Sequence, residues 1–153
     1  MSRVTVGPCE LGLGLFASEN IGAGEPILRL EGSEITLLQV RTHGELAANA
    51  LQIGIERYLD LQAPGRYANH SCAPNAGVRD DVWLIALVDI KAGAEIRFDY
   101  STTISDGWTM FCRCGAESCR GQVGPFLLLP RPLQLRYSIL QVVQKFIILG
   151  LEA

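Results

Sequence analysis

The apolar segments between Leu13 and Tyr100 are short and closely punctuated by glycine, proline and acidic pairs, which suits brief strands far better than long helices. Leu13–Ala17 reads as a strand, Ser18–Pro26 as a turn-rich break, and Ile27–Leu30 as the next strand. Leu51–Ile55 and Tyr58–Leu61 follow and lead through Pro64-Gly65 into a polar stretch. Asn75–Arg79 and Val82–Val88 form a hairpin across Asp80-Asp81, and Lys91-Ala92-Gly93 turns the chain into the alternating run Glu95–Tyr100. The pattern predicts a mainly β fold of small sheets. A short helix within Ile35–Ala48, with Thr36 as its cap, is opposed by Gly44 and the β-branched residues.

After Pro125, Pro130 and Pro132 the spacing predicts one helix over Leu133–Leu149, with Leu135, Ile139, Val142, Phe146 and Leu149 on one face and Leu140, Val143 and Ile147 widening it. Polar residues interrupt it too often for a membrane span, so it is expected to dock on the domain body rather than to form a dimer interface.

A chain of 153 residues fits one domain that buries roughly 70% of its unfolded surface without disulfides. The net charge of −3, with Lys91 and Lys145 the only lysines, argues against direct nucleic-acid binding, which needs a basic patch. A cationic partner fits better. Met1–Val4 lacks the apolar core of an export signal, so the expected setting is an intracellular, reducing compartment, cytoplasm or nucleus. There the five cysteines read as metal ligands or free thiols.

Three constellations carry chemistry. Arg66–Asn75 packs two amides, an imidazole, a hydroxyl and a thiol into one short run, far more than a surface turn needs, and reads as the floor of a site. Cys112-Arg113-Cys114 and Cys119 give C-x-C-x4-C, three soft ligands suited to tetrahedral zinc, with Cys9, Cys72 and His70 open as the fourth. Four thiolates on zinc leave a local charge of −2, which favours an arginine nearby, such as Arg113 or Arg120. Gly12-Leu13-Gly14-Leu15-Phe16-Ala17 matches a dinucleotide fingerprint in spacing, but Ile21–Pro26 leaves no room for the helix that fingerprint requires. Two residues without Cβ remain, which let a ligand approach the backbone. Phe98 and Tyr100, at the end of the best strand, are expected on one face by alternation.

Gly12–Phe16, Asn69-His70-Ser71-Cys72-Ala73-Pro74-Asn75, Glu95–Tyr100 and Phe111-Cys112-Arg113-Cys114-Gly115 through Cys119-Arg120-Gly121 occur in an order that resembles the SET-domain protein lysine methyltransferases. The resemblance covers about Gly12 to Gly121. It implies small β-sheets with a pseudoknot and a C-terminal post-SET zinc segment; with the terminal α-helix read from the spacing, the chain is expected to divide as SET domain 1–110, zinc segment 111–124 and helical extension 125–153. It implies S-adenosylmethionine as methyl donor, held by Gly12, Leu13, Gly14, Asn69 and His70, with Tyr100 catalytic and Phe98 controlling how many methyls are added. It implies Zn2+ on Cys72, Cys112, Cys114 and Cys119, which leaves Cys9 free.

The implied reaction is methylation of a lysine on a basic, histone-like or ribosomal protein, with Phe98 leaving space for di- or trimethylation; no membrane partner is expected, and the chain reads as a monomer or homodimer. Two departures favour a rival reading, a catalytically silent binding module. Leu30 stands where the family often has a channel tyrosine, and Gln122 where an aromatic residue often covers the adenine. Trp108, Phe111 or Phe126 would have to supply that cover, and Phe111 is the expected one. No cysteine-rich segment is expected ahead of the domain.

Overall fold

The computed structural model describes residues 2–42 and 49–152. Among these the strands form three sheets. The largest is built from β1 (Val4–Cys9), β2 (Gly12–Ala17), β10 (Glu95–Phe98), β8 (Ala76–Arg79), β9 (Trp83–Ala86) and β3 (Pro26–Arg29) in that order, with β7 (Asn69–His70) also paired to β10. A second sheet has the order β4 (Gly32–Thr36), β6 (Arg57–Leu61), β5 (Ala50–Gly54), and β11 (Met110–Phe111) pairs with β12 (Gln122–Val123).

Most expected strands are present within a residue or two of their bounds. β8 and β9 are antiparallel, and Asp80 and Asp81 take positive φ values of 51° and 69°, the backbone of a tight hairpin turn whose twist matches the strands. β1 is an addition to the expected strands: it runs through Gly7 and Pro8 and pairs with β2 from Val4↔Ala17 to Cys9↔Gly12. It sits at the sheet edge, where a proline removes no needed hydrogen bond. Leu15, Ala76, Val78, Leu84 and Ile96 are fully buried and form the centre of the main core.

The expected helix in 35–48 is only in part within the described residues. Ile35 and Thr36 end β4, a helix α1 occupies Leu37–Thr42, and 43–48 lie outside the described residues. The Thr36 hydroxyl does accept from the Gln39 N–H at 3.2 Å.

The single helix over Leu133–Leu149 is not formed. Two short helices, α2 (Arg131–Ile139) and α3 (Lys145–Glu152), flank a break at Gln141, whose φ is +60°. The cause is tertiary. Gln144 is fully buried and its Nε2 donates to the carbonyls of Gln52 at 2.7 Å and Asp81 at 3.0 Å, while its backbone N–H donates to the Thr102 carbonyl at 3.1 Å and Val142, Val143 and Gln144 are buried in succession, which one face of a continuous helix does not allow. The expected apolar face is split accordingly: Val142 is buried, whereas Leu135, Ile139 and Leu149 are exposed. Val142, Val143, Ile147, Tyr137 and Phe126 pack as a second core, so the segment docks on the body as expected. No helix among the described residues is long and apolar enough to cross a membrane.

Candidate active site and cysteine centre

Strand β10 positions the site. Its N-terminal half pairs antiparallel with β2, Glu95↔Phe16 and Ile96↔Leu15. Its C-terminal half pairs in parallel with two segments that flank it, β7 by Arg97↔Asn69 and Phe98↔His70 and β8 by Phe98↔Ala76. The polar stretch therefore runs along the end of β10, held there by Ser71 N–H donating to the Phe98 carbonyl at 3.1 Å and by Asn75, whose side chain bonds both Glu95 O and Arg97 N.

Asn69 faces the glycine turn. Its Nδ2 donates to the Leu13 carbonyl at 3.0 Å and to Glu95 Oε2 at 3.2 Å. Gly12, with φ +111°, has open space where a Cβ would project, and a Cβ on Gly14 would lie 2.9 Å from Glu95 Oε2. The Glu95 carboxylate and the Cys9 sulfur thus cover the backbone at Gly14, while Gly12 stays open. No helix opens after Ala17, which removes the dinucleotide-fingerprint geometry.

The strand ends at Phe98, and Tyr100 begins a 3-10 turn, Tyr100–Thr103. Strand alternation therefore does not place Tyr100, although its ring still packs on Phe98 at 4.8 Å between centroids. Its hydroxyl donates to the Ala68 carbonyl at 2.7 Å, and its backbone N–H donates to His70 Nδ1 at 3.0 Å. Burial raises the Tyr100 hydroxyl well above its ordinary value, and the Glu95 carboxylate acts in the same direction, so the phenol stays protonated.

A cavity of about 60 Å³ reaches Tyr100, Phe98 and Ala68, with Tyr58, Ile104 and Trp108 among its walls. Its phenol besides Tyr100 is Tyr58, whose hydroxyl donates to Asp106 Oδ2 at 2.6 Å. Leu30, by contrast, lies in the main core, so its lack of a hydroxyl takes nothing from this cavity. Tyr58 carries no local motif; only its cross-strand register, Ile35↔Tyr58 and Gln52↔Tyr58, brings it here.

The four sulfurs of Cys72, Cys112, Cys114 and Cys119 lie within 4.8 Å of one another. Cys72 Sγ and Cys112 Sγ are 3.7 Å apart, close to the roughly 3.8 Å edge of a tetrahedron drawn around zinc at about 2.3 Å. No disulfide links any of the five cysteines. Cys9 stands elsewhere, its sulfur 3.5 Å from Asn69 Nδ2.

His70 is not among the four. Burial pushes its imidazole down to about 4 against the pull of Asp99, with Arg120 and Arg97 adding to the fall. It is therefore neutral at pH 7. Because Nδ1 accepts from Tyr100, the proton sits on Nε2, 3.3 Å from Cys72 Sγ. Arg120 is the arginine beside the cluster: its backbone N–H approaches Cys72 Sγ at 3.4 Å, while Arg113 is exposed. Burial pushes the Cys114 thiol up, but the N–H groups of Cys72 and Ala116 and the neighbouring thiols outweigh it and hold it down to about 6.

Phe111 stands 89% exposed and pairs across the small ladder with Gln122. Phe126 is buried in the second core and cannot offer a surface, and Trp108 lines the cavity.

The family model for the SET domain matches residues 12–101. The chain belongs to the SET domain family. Among curated relatives, the SET-domain chain is 32% identical over 130 residues to the mouse (Mus musculus) protein named Histone-lysine N-methyltransferase NSD3, which covers 74% of this chain and 9% of the relative. It is 32% identical over 121 residues to the human (Homo sapiens) Histone-lysine N-methyltransferase, H3 lysine-36 specific, covering 72% of this chain and 4% of the relative. With ASHH1 of Arabidopsis thaliana, also named a histone-lysine N-methyltransferase, it shares 30% over 130 residues, 74% of this chain and 26% of that one. The chain thus spans a small fraction of the length of these relatives.

Proposed function

We propose that this SET-domain chain is a protein-lysine N-methyltransferase that uses S-adenosylmethionine and acts on a basic protein, with histone lysines, H3 lysine 36 first, as the substrates suggested by its relatives' names. The observation that carries the reading is the Tyr100 hydroxyl held on the Ala68 carbonyl at one end of a narrow cavity, beside Asn69 and the open Gly12 backbone.

The donor supplies an activated methyl on a sulfonium. The rest is the work of the chain. Gly12, Leu13, Gly14, Asn69 and His70 would hold the donor: the Leu13 carbonyl and Glu95 carboxylate suit an ammonium, and the Asn69 amide, which donates to both, keeps them in place. The exposed Phe111 ring offers cover for the adenine where Gln122 does not. The apolar cavity walls strip water from the incoming lysine and favour its neutral, nucleophilic form. Tyr100 and the Ala68 carbonyl orient the amine for in-line displacement, which requires the reacting atoms at near-attack distance. Phe98 leaves room for an amine that already carries methyls.

Cys72, Cys112, Cys114 and Cys119 fit a structural zinc, with every position taken by sulfur and none left open for catalysis. Residues 111–124 then form the metal segment and 125–153 a helical extension. Uncrosslinked thiols suit a reducing compartment, nucleus or cytoplasm.

The experiment is transfer of radiolabelled methyl to core histones, followed by mass spectrometry, with cofactor binding measured by calorimetry on the same preparation. Label on lysine supports the reading. Cofactor binding without transfer to histones or to mixed lysine-rich proteins would identify a silent module instead.

A further inference from the structure

Asp99, between Phe98 and Tyr100, has a side chain wholly removed from solvent. Each of its oxygens has a donor. Oδ1 accepts from Arg120 Nη2 at 2.9 Å and from the Ser101 N–H at 3.1 Å, and Oδ2 accepts from the Tyr137 hydroxyl at 2.9 Å. Tyr137 belongs to α2, is 2% exposed, and lies outside the span that the family model matches. A second tie runs from the same part of the chain: the Gln144 N–H donates to the Thr102 carbonyl at 3.1 Å, inside the turn that Tyr100 begins.

A buried carboxylate keeps a single orientation only while both oxygens are satisfied. Arg120 supplies the balancing charge on one oxygen. The Tyr137 hydroxyl, donating to the other, fixes the torsion of the group and so keeps Oδ1 capping the turn at Ser101. Turning the carboxylate would free that N–H and move the first residue of the turn, Tyr100, relative to the Ala68 carbonyl. Displacements of about 1 Å in such constellations cost on the order of a hundredfold in rate.

We propose that Tyr137, in the C-terminal helical segment, is a positioning residue for Tyr100, acting through the shared carboxylate of Asp99. The proposal rests on the methyltransferase reading above. Filling the second core beside Phe126 and Val142 is the plainer role for a buried tyrosine, and Tyr137→Phe preserves that role while deleting the hydroxyl.

The test is a double-mutant cycle in the full chain. Wild type, Tyr137→Phe, Tyr100→Phe and the double variant are compared by single-turnover methyl transfer, with zinc content and S-adenosylhomocysteine binding measured on each. Tyr137→Phe is expected to lower kcat roughly ten- to a hundredfold with KM for the donor unchanged, and to have no further effect in the Tyr100→Phe background. 4-Aminophenylalanine at position 137, which keeps a donor at the ring's end, is expected to restore the rate.

An equal fold-loss in both backgrounds, or an unchanged kcat, overturns the proposal. If Tyr137→Phe does not fold, the 4-aminophenylalanine variant decides alone, and a folded variant without the rate overturns it. If the wild type transfers no methyl, the methyltransferase reading fails, and the Tyr100 ring carbon resonance still tests the coupling: it is expected to shift on Tyr137→Phe, and an unmoved resonance overturns the proposal.

Discussion

The Tyr100 hydroxyl donates to the Ala68 carbonyl across 2.7 Å, joining the turn after β10 to the residue that precedes Asn69 and His70. A phenylalanine keeps the ring and loses that bond. Tyr100→Phe is expected to cost about 1 kcal/mol of stability and roughly a hundredfold in transfer rate, the scale of one preorganised hydrogen-bonding group. Single-turnover transfer beside a melting curve checks this, and a wild-type rate would remove Tyr100 from the mechanism.

Phe98 is 4% exposed and packs on Tyr100. A hydroxyl added to its ring enters the same cavity and takes the space of a methylated amine. Phe98→Tyr is expected to shift products toward fewer methyls per lysine. Mass spectra with an unchanged distribution would separate Phe98 from product control.

Cys72 alone among the four clustered cysteines comes from the polar stretch; the others lie at 112, 114 and 119. Cys72→Ser should drop zinc well below one ion per chain and loosen the C-terminal segment, because the binding energy of a structural metal is folding energy. Elemental analysis gives the zinc, and proteolysis around residues 105–124 reads the loosening. Full zinc occupancy in the variant would place the fourth ligand elsewhere.

His70 supplies a pH dependence with a definite sign. Its imidazole lies at about 4 in the fold against about 6.5 when unfolded. The unfolded chain therefore binds the extra proton first as pH falls, so stability is complete above about 6.5 and is lost progressively down to about 4, by roughly 3 kcal/mol. Denaturant unfolding at pH 7, 5.5 and 4.5 is expected to show the loss, with the His70 carbon resonances constant down to about pH 5. An imidazole titrating near 6.5 would contradict the buried neutral form.

The candidate site was legible in sequence where its chemistry is written in contiguous strings. Asn69–Asn75, Phe98–Tyr100 and the cysteine triplet each carry fixed spacings, and they meet around β10. Tyr58, Asp99 and Tyr137 were not read as site residues, and Arg120 only as a neighbour of the thiolates, because their roles arise from pairings 21 to 48 residues apart that leave no periodic trace. The C-terminal break failed for the same reason. Hydrophobic spacing sees Leu135 and Ile139 as a face, but it cannot see that the Gln52 and Asp81 carbonyls hold the Gln144 amide. The strand pattern was sound for β2, β8 and β9, where local alternation and turn chemistry agree.

The pairing of Asp99 with groups 21 and 38 residues further along the chain also sets a clock. During synthesis at about 5–20 residues per second, Tyr137 is added roughly two to eight seconds after Asp99. Until then Oδ2 lacks its donor, although Arg120, made earlier, balances the charge at Oδ1. On the role proposed for Tyr137, a chain still short of α2, or cut short within it, should lack the ordered Tyr100 turn and any methyl transfer that depends on it.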